Sequence, residues 1–141
     1  MAVFNKFQAF VEHLAEKVHN LQTDTLKVML TNTAPLATNT VKADLTEIAA
    51  GNGYAAGGST SAQVSSAQTT GTYKLVLTDV VITAAGGAIG PFRYIVLYND
   101  TPTVPAKPLI GWYDYGAAAT LNIGESLTVD FDGALGVLTL A

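Results

Sequence analysis

The chain has 141 residues, a formal net charge of −4 and only 13% charged residues, about half the share usual in soluble domains. With 49% hydrophobic residues this excludes intrinsic disorder, which needs low hydrophobicity and high charge. The absence of cysteine excludes disulfides and thiolate metal sites, and the seven scattered basic residues do not make a phosphate-binding patch, so no nucleic-acid partner is expected.

Phe4, Phe7, Val11, Leu14, Val18 and Leu21 recur at spacings of three and four, with Phe10 widening the stripe. This pattern predicts an amphipathic helix over 1–22 that docks on its own domain, since it is too short for a free coiled coil. Lys6, Glu12, Glu16 and Lys17 interrupt any apolar run there, so no secretory signal is expected. From Thr25 to Thr31 the period becomes two, predicting a strand that ends in the Asn32 to Pro35 turn. Val41 to Ala50 reads as a weakly defined segment with a short helical turn. Gly51 to Gly58 reads as a flexible loop, and Ser59 to Thr70, rich in Ser, Thr and Gln, reads as an edge strand.

Tyr73 to Thr83 alternates well, with a bend or bulge expected near Asp79. Phe92 to Tyr98 is apolar except at Arg93, the signature of a central strand covered on both faces. Between Asp79 and Arg93 the longest apolar stretch is broken by Gly86, Gly87, Gly90 and Pro91, far short of the roughly 20 residues of a membrane-spanning helix, so no membrane partner is expected. After an extended connection through Pro102, Pro105 and Pro108, four short strands are predicted: Leu109 to Tyr115, Ala119 to Ile123, Ser126 to Phe131 and Val137 to Leu140. The separators are Gly116, Asn122-Ile123-Gly124 and Asp132-Gly133. The expected fold is therefore mainly β: an antiparallel β-sandwich or partly closed barrel with an N-terminal amphipathic α-helix. It forms a single domain over 1–141, with the helix at 1–22 and a β-rich body at 24–141.

Candidate chemistry is thin. His13 and His19 are six apart on the predicted helix, point in different directions and read as solvated. Asp130 and Asp132 flank Phe131 and, with Asp114, are the carboxylates a glycosidase would use, but Asp132-Gly133 is explained by a turn and Asp114 by a solvent-facing strand position. Asp100, Asp114, Asp130 and Asp132 are candidate calcium ligands, although the ordered spacing of an EF-hand loop is missing. Gly51, Gly53, Gly57 and Gly58 match neither a P-loop nor a dinucleotide fingerprint. Tyr94, Tyr98, Trp112, Tyr113 and Tyr115 concentrate aromatic surface in two neighbouring strands; alternation divides them between two faces, with core packing for some and a subunit interface or sugar platform for the rest. No catalytic residue, cofactor or metal site is assigned, and no enzyme activity is expected.

The strings Leu30-Thr31-Asn32-Thr33-Ala34-Pro35, Thr38-Asn39-Thr40 and Asp44 to Tyr54, together with Gly90-Pro91-Phe92-Arg93-Tyr94 and Leu109 to Gly116, resemble small structural proteins of tailed bacteriophages. The resemblance covers most of the chain and marks no catalytic motif. It implies a virion protein, foremost a capsid decoration or cement subunit bound to the outer surface of the shell. The implied partners are the major capsid protein and further copies of the chain, as a small symmetric homo-oligomer such as a trimer. The alternatives it leaves are a tail-associated, collar or head-fibre subunit, or a carbohydrate-binding adhesion module.

Overall fold

A computed structural model describes residues 2–141; Met1, which the predicted helix and domain include, lies outside the described residues. In chain order the elements are β1 (Asn5–Lys6), α1 (Gln8–Ala15), β2 (Leu26–Thr31), a 3-10 turn (Lys42–Asp44), β3 (Ser59–Ser61), β4 (Gln63–Thr69), β5 (Thr72–Leu77), β6 (Val80–Thr83), β7 (Ile89–Asn99), β8 (Leu109–Leu121), β9 (Ser126–Val129) and β10 (Leu138–Leu140). The fold is mainly β, and every pairing is antiparallel. A five-stranded sheet has the order β1-β8-β7-β2-β3, a three-stranded sheet the order β10-β5-β4, and β6 pairs with β9.

β7 is the centre, and its apolar run is buried on both faces as its sequence predicts. Ile95 and Leu97 join Leu26, Val28 and Leu30 of β2 in the main core, which Leu75, Leu77, Ile82, Leu127 and Val129 close from the smaller sheets. Val96 and Tyr98 point the other way, into a second cluster with Phe7, Met29, Leu45 and Leu109. Ser59 to Thr70 is an edge segment twice over: β3 ends the large sheet and β4 ends the three-stranded one.

The helix is much shorter than the predicted 1–22. Phe7 N–H donates to the Ile110 carbonyl at 3.1 Å, so the chain still runs as sheet where the stripe suggests helix. At the other end Lys17 adopts φ 65°, and Val18 N–H reaches the His13 carbonyl at 2.8 Å, a left-handed cap that stops α1. The buried face differs too: Phe10 is 1% exposed, whereas Val11, a member of the stripe, is 47% exposed. Intramolecular docking does hold, with Phe7 and Phe10 each entering a different core cluster.

Two further readings change. Leu109 to Tyr115 and all of Ala119 to Ile123 except Asn122 and Ile123, which lie in the following turn, are parts of one strand, β8, interrupted by a wide bulge: Tyr94 faces Asp114 and Phe92 faces Ala119, so Arg93 alone opposes Tyr115 to Ala118. Gly116 supplies the positive φ of 98° that the bulge requires. The Gly51 to Gly58 segment is pinned rather than loose. Glu47 Oε1 accepts the Tyr54 hydroxyl at 2.6 Å and Gly57 N–H at 2.7 Å, while Oε2 accepts Lys42 Nζ at 2.8 Å. The same Tyr54 oxygen accepts Leu30 N–H at 3.0 Å, satisfying β2 beyond the point where β3 stops.

Phe10→Ala should cost about 3–5 kcal/mol, the range for truncating a buried aromatic, and Val11→Ala well under about 1 kcal/mol. Urea unfolding of the two variants measures this directly; equal losses would contradict the observed helix orientation. Gly58 has φ 79°, and an added Cβ would collide with the Val28 carbonyl oxygen. Gly58→Ala should therefore cost more than about 1 kcal/mol by the same assay, since strain at positive φ and a backbone clash act together.

Candidate functional site

The aromatic-rich part of β8 and the β9–β10 connection build a cleft. It is open, has a volume of about 330 Å³, and is lined by Phe4 of the N-terminal arm, Ile95, Tyr113 and Tyr115, and the stretch from Leu127 to Val137 apart from Phe131, Gly133 and Ala134. The bulge places Tyr115 at its rim, 55% exposed and edge-on to Phe92 at 6.1 Å. Phe131 is buried next to Tyr113, and Phe131 N–H donates to Asp79 Oδ1 at 2.9 Å, which fixes the connection between β9 and β10.

Asp130 and Asp132 both line this cleft, as their proximity in sequence suggests. Asp132 Oδ1 accepts Ala134 N–H at 2.8 Å and Leu135 N–H at 2.9 Å, so it does form the expected turn. Those two donors, Leu135 foremost, hold its carboxyl below the usual carboxylate range. Asp114 and Asp100 have separate partners. Asp114 takes a two-pronged contact from Arg93, at 2.8 and 3.0 Å, which is the main cause of its lowered pKa. Asp100 pairs with Lys27 at 3.3 Å and with Lys107. Among the described residues no group of three or more His, Asp or Glu side chains gathers for a metal ion.

The five aromatics do not form one platform. Tyr98 is buried in the second cluster with its hydroxyl on the Gly57 carbonyl at 2.6 Å, and Trp112 packs on Phe7 at 4.5 Å between ring centres. Two of the aromatics on this face, Tyr98 and Trp112, are thus packed by the chain itself. Burial raises the pKa of Tyr113, which stacks at 5.3 Å on Phe4, and Tyr94 lies under the Arg93 guanidinium at 5.4 Å.

The histidines depart furthest from expectation. His19 lies beyond the helix, is 5% exposed, and sits with its ring 6.0 Å from that of His13. Asn99 Oδ1 accepts Thr101 N–H at 3.1 Å, so its amide nitrogen faces Asp24 Oδ2 at 2.6 Å and His19 Nδ1 at 3.1 Å. His19 Nδ1 is consequently an acceptor and its proton sits on Nε2, which is buried without a partner, as is His13 Nδ1. A metal on His19 Nε2 would need that proton on Nδ1, against the Asn99 N–H, so the network opposes a shared metal. No sequence signal marks this network, because its members come from two stretches of chain, 13–24 and 99–101, far apart in sequence.

No known protein family, curated relative or solved structure matches the chain.

Desolvation, with the nearby His13 adding to it and Asp24 opposing it, lowers the His19 pKa from 6.5 to about 4. The unfolded chain therefore takes up this proton at a higher pH than the folded chain. The His19 contribution to stability should fall as pH drops from about 6.5 to about 4, by roughly 3 kcal/mol in all, and the carboxylates with lowered pKa, Asp114 and Asp132, should continue the loss below that. Urea denaturation at pH 7 and pH 4.5 checks the slope, and His19→Gln, which keeps an acceptor for Asn99 but does not titrate, should lose most of it.

Proposed function

We propose that the chain is a non-enzymatic structural protein of a tailed-phage virion, bound to the outside of the capsid shell and stabilising it as a decoration subunit. It works as a small symmetric homo-oligomer. The observation that carries an assembly role is the outer edge of β4: Gln63–Thr69 ends the three-stranded sheet, is largely exposed and holds no charged residue or proline. Monomeric β proteins protect such edges with charge, proline or bulges, because unpaired backbone groups recruit another strand. Here a single register shift between Gln63 and Ser65 is the only such device.

The surface supports the same reading. Four of the seven cationic side chains, Lys27, Lys42, Arg93 and Lys107, are already engaged in ion pairs within the chain. Val64, Val81 and Val104 stand exposed on separate elements. A surface of hydroxyls, amides and small apolar groups costs little to desolvate against another protein. The strings that resemble phage structural proteins also map onto the scaffold: two of them lie within β7 and β8, and the others run from the end of β2 through the connection that contains Glu47 and Tyr54.

Light scattering of the protein should show a discrete oligomer, and Val64→Lys with Ala67→Lys on β4 should shift it to monomer without lowering the melting temperature. Electron cryomicroscopy of the particle should place its density outside the shell. Density in the tail, collar or fibre would instead select the alternative virion roles.

A further inference from the structure

We propose that the cleft beside Tyr113 and Tyr115 is a docking site for a long basic side chain, Lys or Arg, presented by a partner protein. Its walls and its charges fit the two ends of such a side chain. Leu135, 72% exposed, and the half-buried Phe4 offer apolar surface for a methylene stem over a floor of the core residues Ile95, Leu127, Val129 and Val137. At the mouth, the Asp130 carboxylate makes no hydrogen bond or ion pair among the described residues, and Asp132 uses only Oδ1 for its turn. Lys74, whose charge favours the ionised form of Asp132, donates to the Ala134 carbonyl at 2.8 Å and forms no direct ion pair with either carboxylate. The Tyr113 hydroxyl, also without a partner among the described residues, and the exposed Tyr115 ring add an acceptor and a face for a cation.

Charge decides between occupants. A second copy would bring a net charge of −4 to an acidic mouth, and among the described residues it has only Lys6, Lys17 and Lys74 outside ion pairs. A basic surface on a different protein is complementary. A neutral sugar would find few neutral hydrogen-bonding groups in the cleft, Thr128 and the two tyrosine hydroxyls, and would gain nothing from the charge of its two carboxylates that a cation would not gain more of. The cleft is also held in shape by Phe131 N–H on Asp79, Gly136 N–H on the Asp132 carbonyl at 2.8 Å and Val137 N–H on the Leu75 carbonyl at 2.8 Å, so little ordering is left for binding. The identity of the partner as the capsid shell rests on the decoration role; the cleft chemistry does not.

The test is a two-dimensional NMR titration of the whole chain with hexylamine, hexylguanidine, hexanol, hexanoate and glucose. Hexylamine and hexylguanidine should shift the resonances of 113–115 and 127–137 saturably, in the millimolar range expected of small fragments. Their relative affinities separate a lysine from an arginine guest. Hexanoate should bind at least about tenfold more weakly, and Asp130→Asn or high salt should weaken the two cations alone. Equal binding of hexanol or hexanoate, saturable glucose binding at these residues, or no saturable shift at all would overturn the proposal. On particles, Asp130→Lys should reduce occupancy of the shell. Unchanged occupancy refutes this inference while the decoration role stands; cation binding at the cleft with no density on the shell refutes the decoration role instead.

Discussion

A strand that is apolar on both sides has to be covered twice, and most of this molecule follows from that demand on β7. On one side the smaller sheets supply Leu75, Leu77, Ile82, Leu127 and Val129. On the other, no second sheet packs among the described residues. Phe7 and Leu45 are brought over Val96 and Tyr98 by the N-terminal segment and by the long connection after β2. This is why the chain cannot begin with an uninterrupted helix. Phe7 is held at the sheet by the Ile110 carbonyl, Gln8 N–H then donates to the Ala37 carbonyl at 2.9 Å, and only after that does the helix turn Phe10 into the main core.

Covering a sheet with irregular chain creates buried polar backbone, which must be satisfied or cost about 1–3 kcal/mol per group. Two side-chain networks meet that need at opposite ends of β2. Glu47 and Tyr54 take over where β3 stops, binding Leu30, Gly57 and Lys42 together. Their coupling shows in the Tyr54 phenol, whose pKa is raised by burial first and by its bond to Glu47 second. At the other end Asn99, fully buried, joins Asp24, Thr101 and His19. The first network is closed; the second leaves His19 Nε2 unpaired, which makes it the weaker joint.

The low charge of the chain acquires a spatial meaning from the same structure. Most cations neutralise carboxylates of their own chain, so the surplus negative charge is left to residues such as Asp130 and Asp132 beside an apolar cleft. The free edge of β4, by contrast, carries no charge. The proposed strand pairing between copies and the proposed charge-matched docking on a different protein would thus have separate places on the molecule, as the proposed decoration role requires.

Alternation and turn chemistry alone determined the β class, the central position of Phe92 to Tyr98, the break near Asp79, the edge character of Ser59 to Thr70 and the turn at Asp132. These are properties of short windows, where side-chain period and local backbone preference suffice. What only the tertiary structure decided are features made by residues far apart or by backbone states without a residue signature. Lys17 ends α1 in a left-handed conformation usually taken by glycine, so the heptad stripe continued past the real helix. Gly116 was legible as a break but not as a bulge inside one strand, because that depends on what β7 places opposite. His19 became a buried acceptor for Asn99 through a contact spanning 80 positions, and the cleft joins the N-terminal arm, β8 and the β9–β10 connection. Packing brings such groups together only after the whole sheet has formed, which no local pattern in the chain encodes.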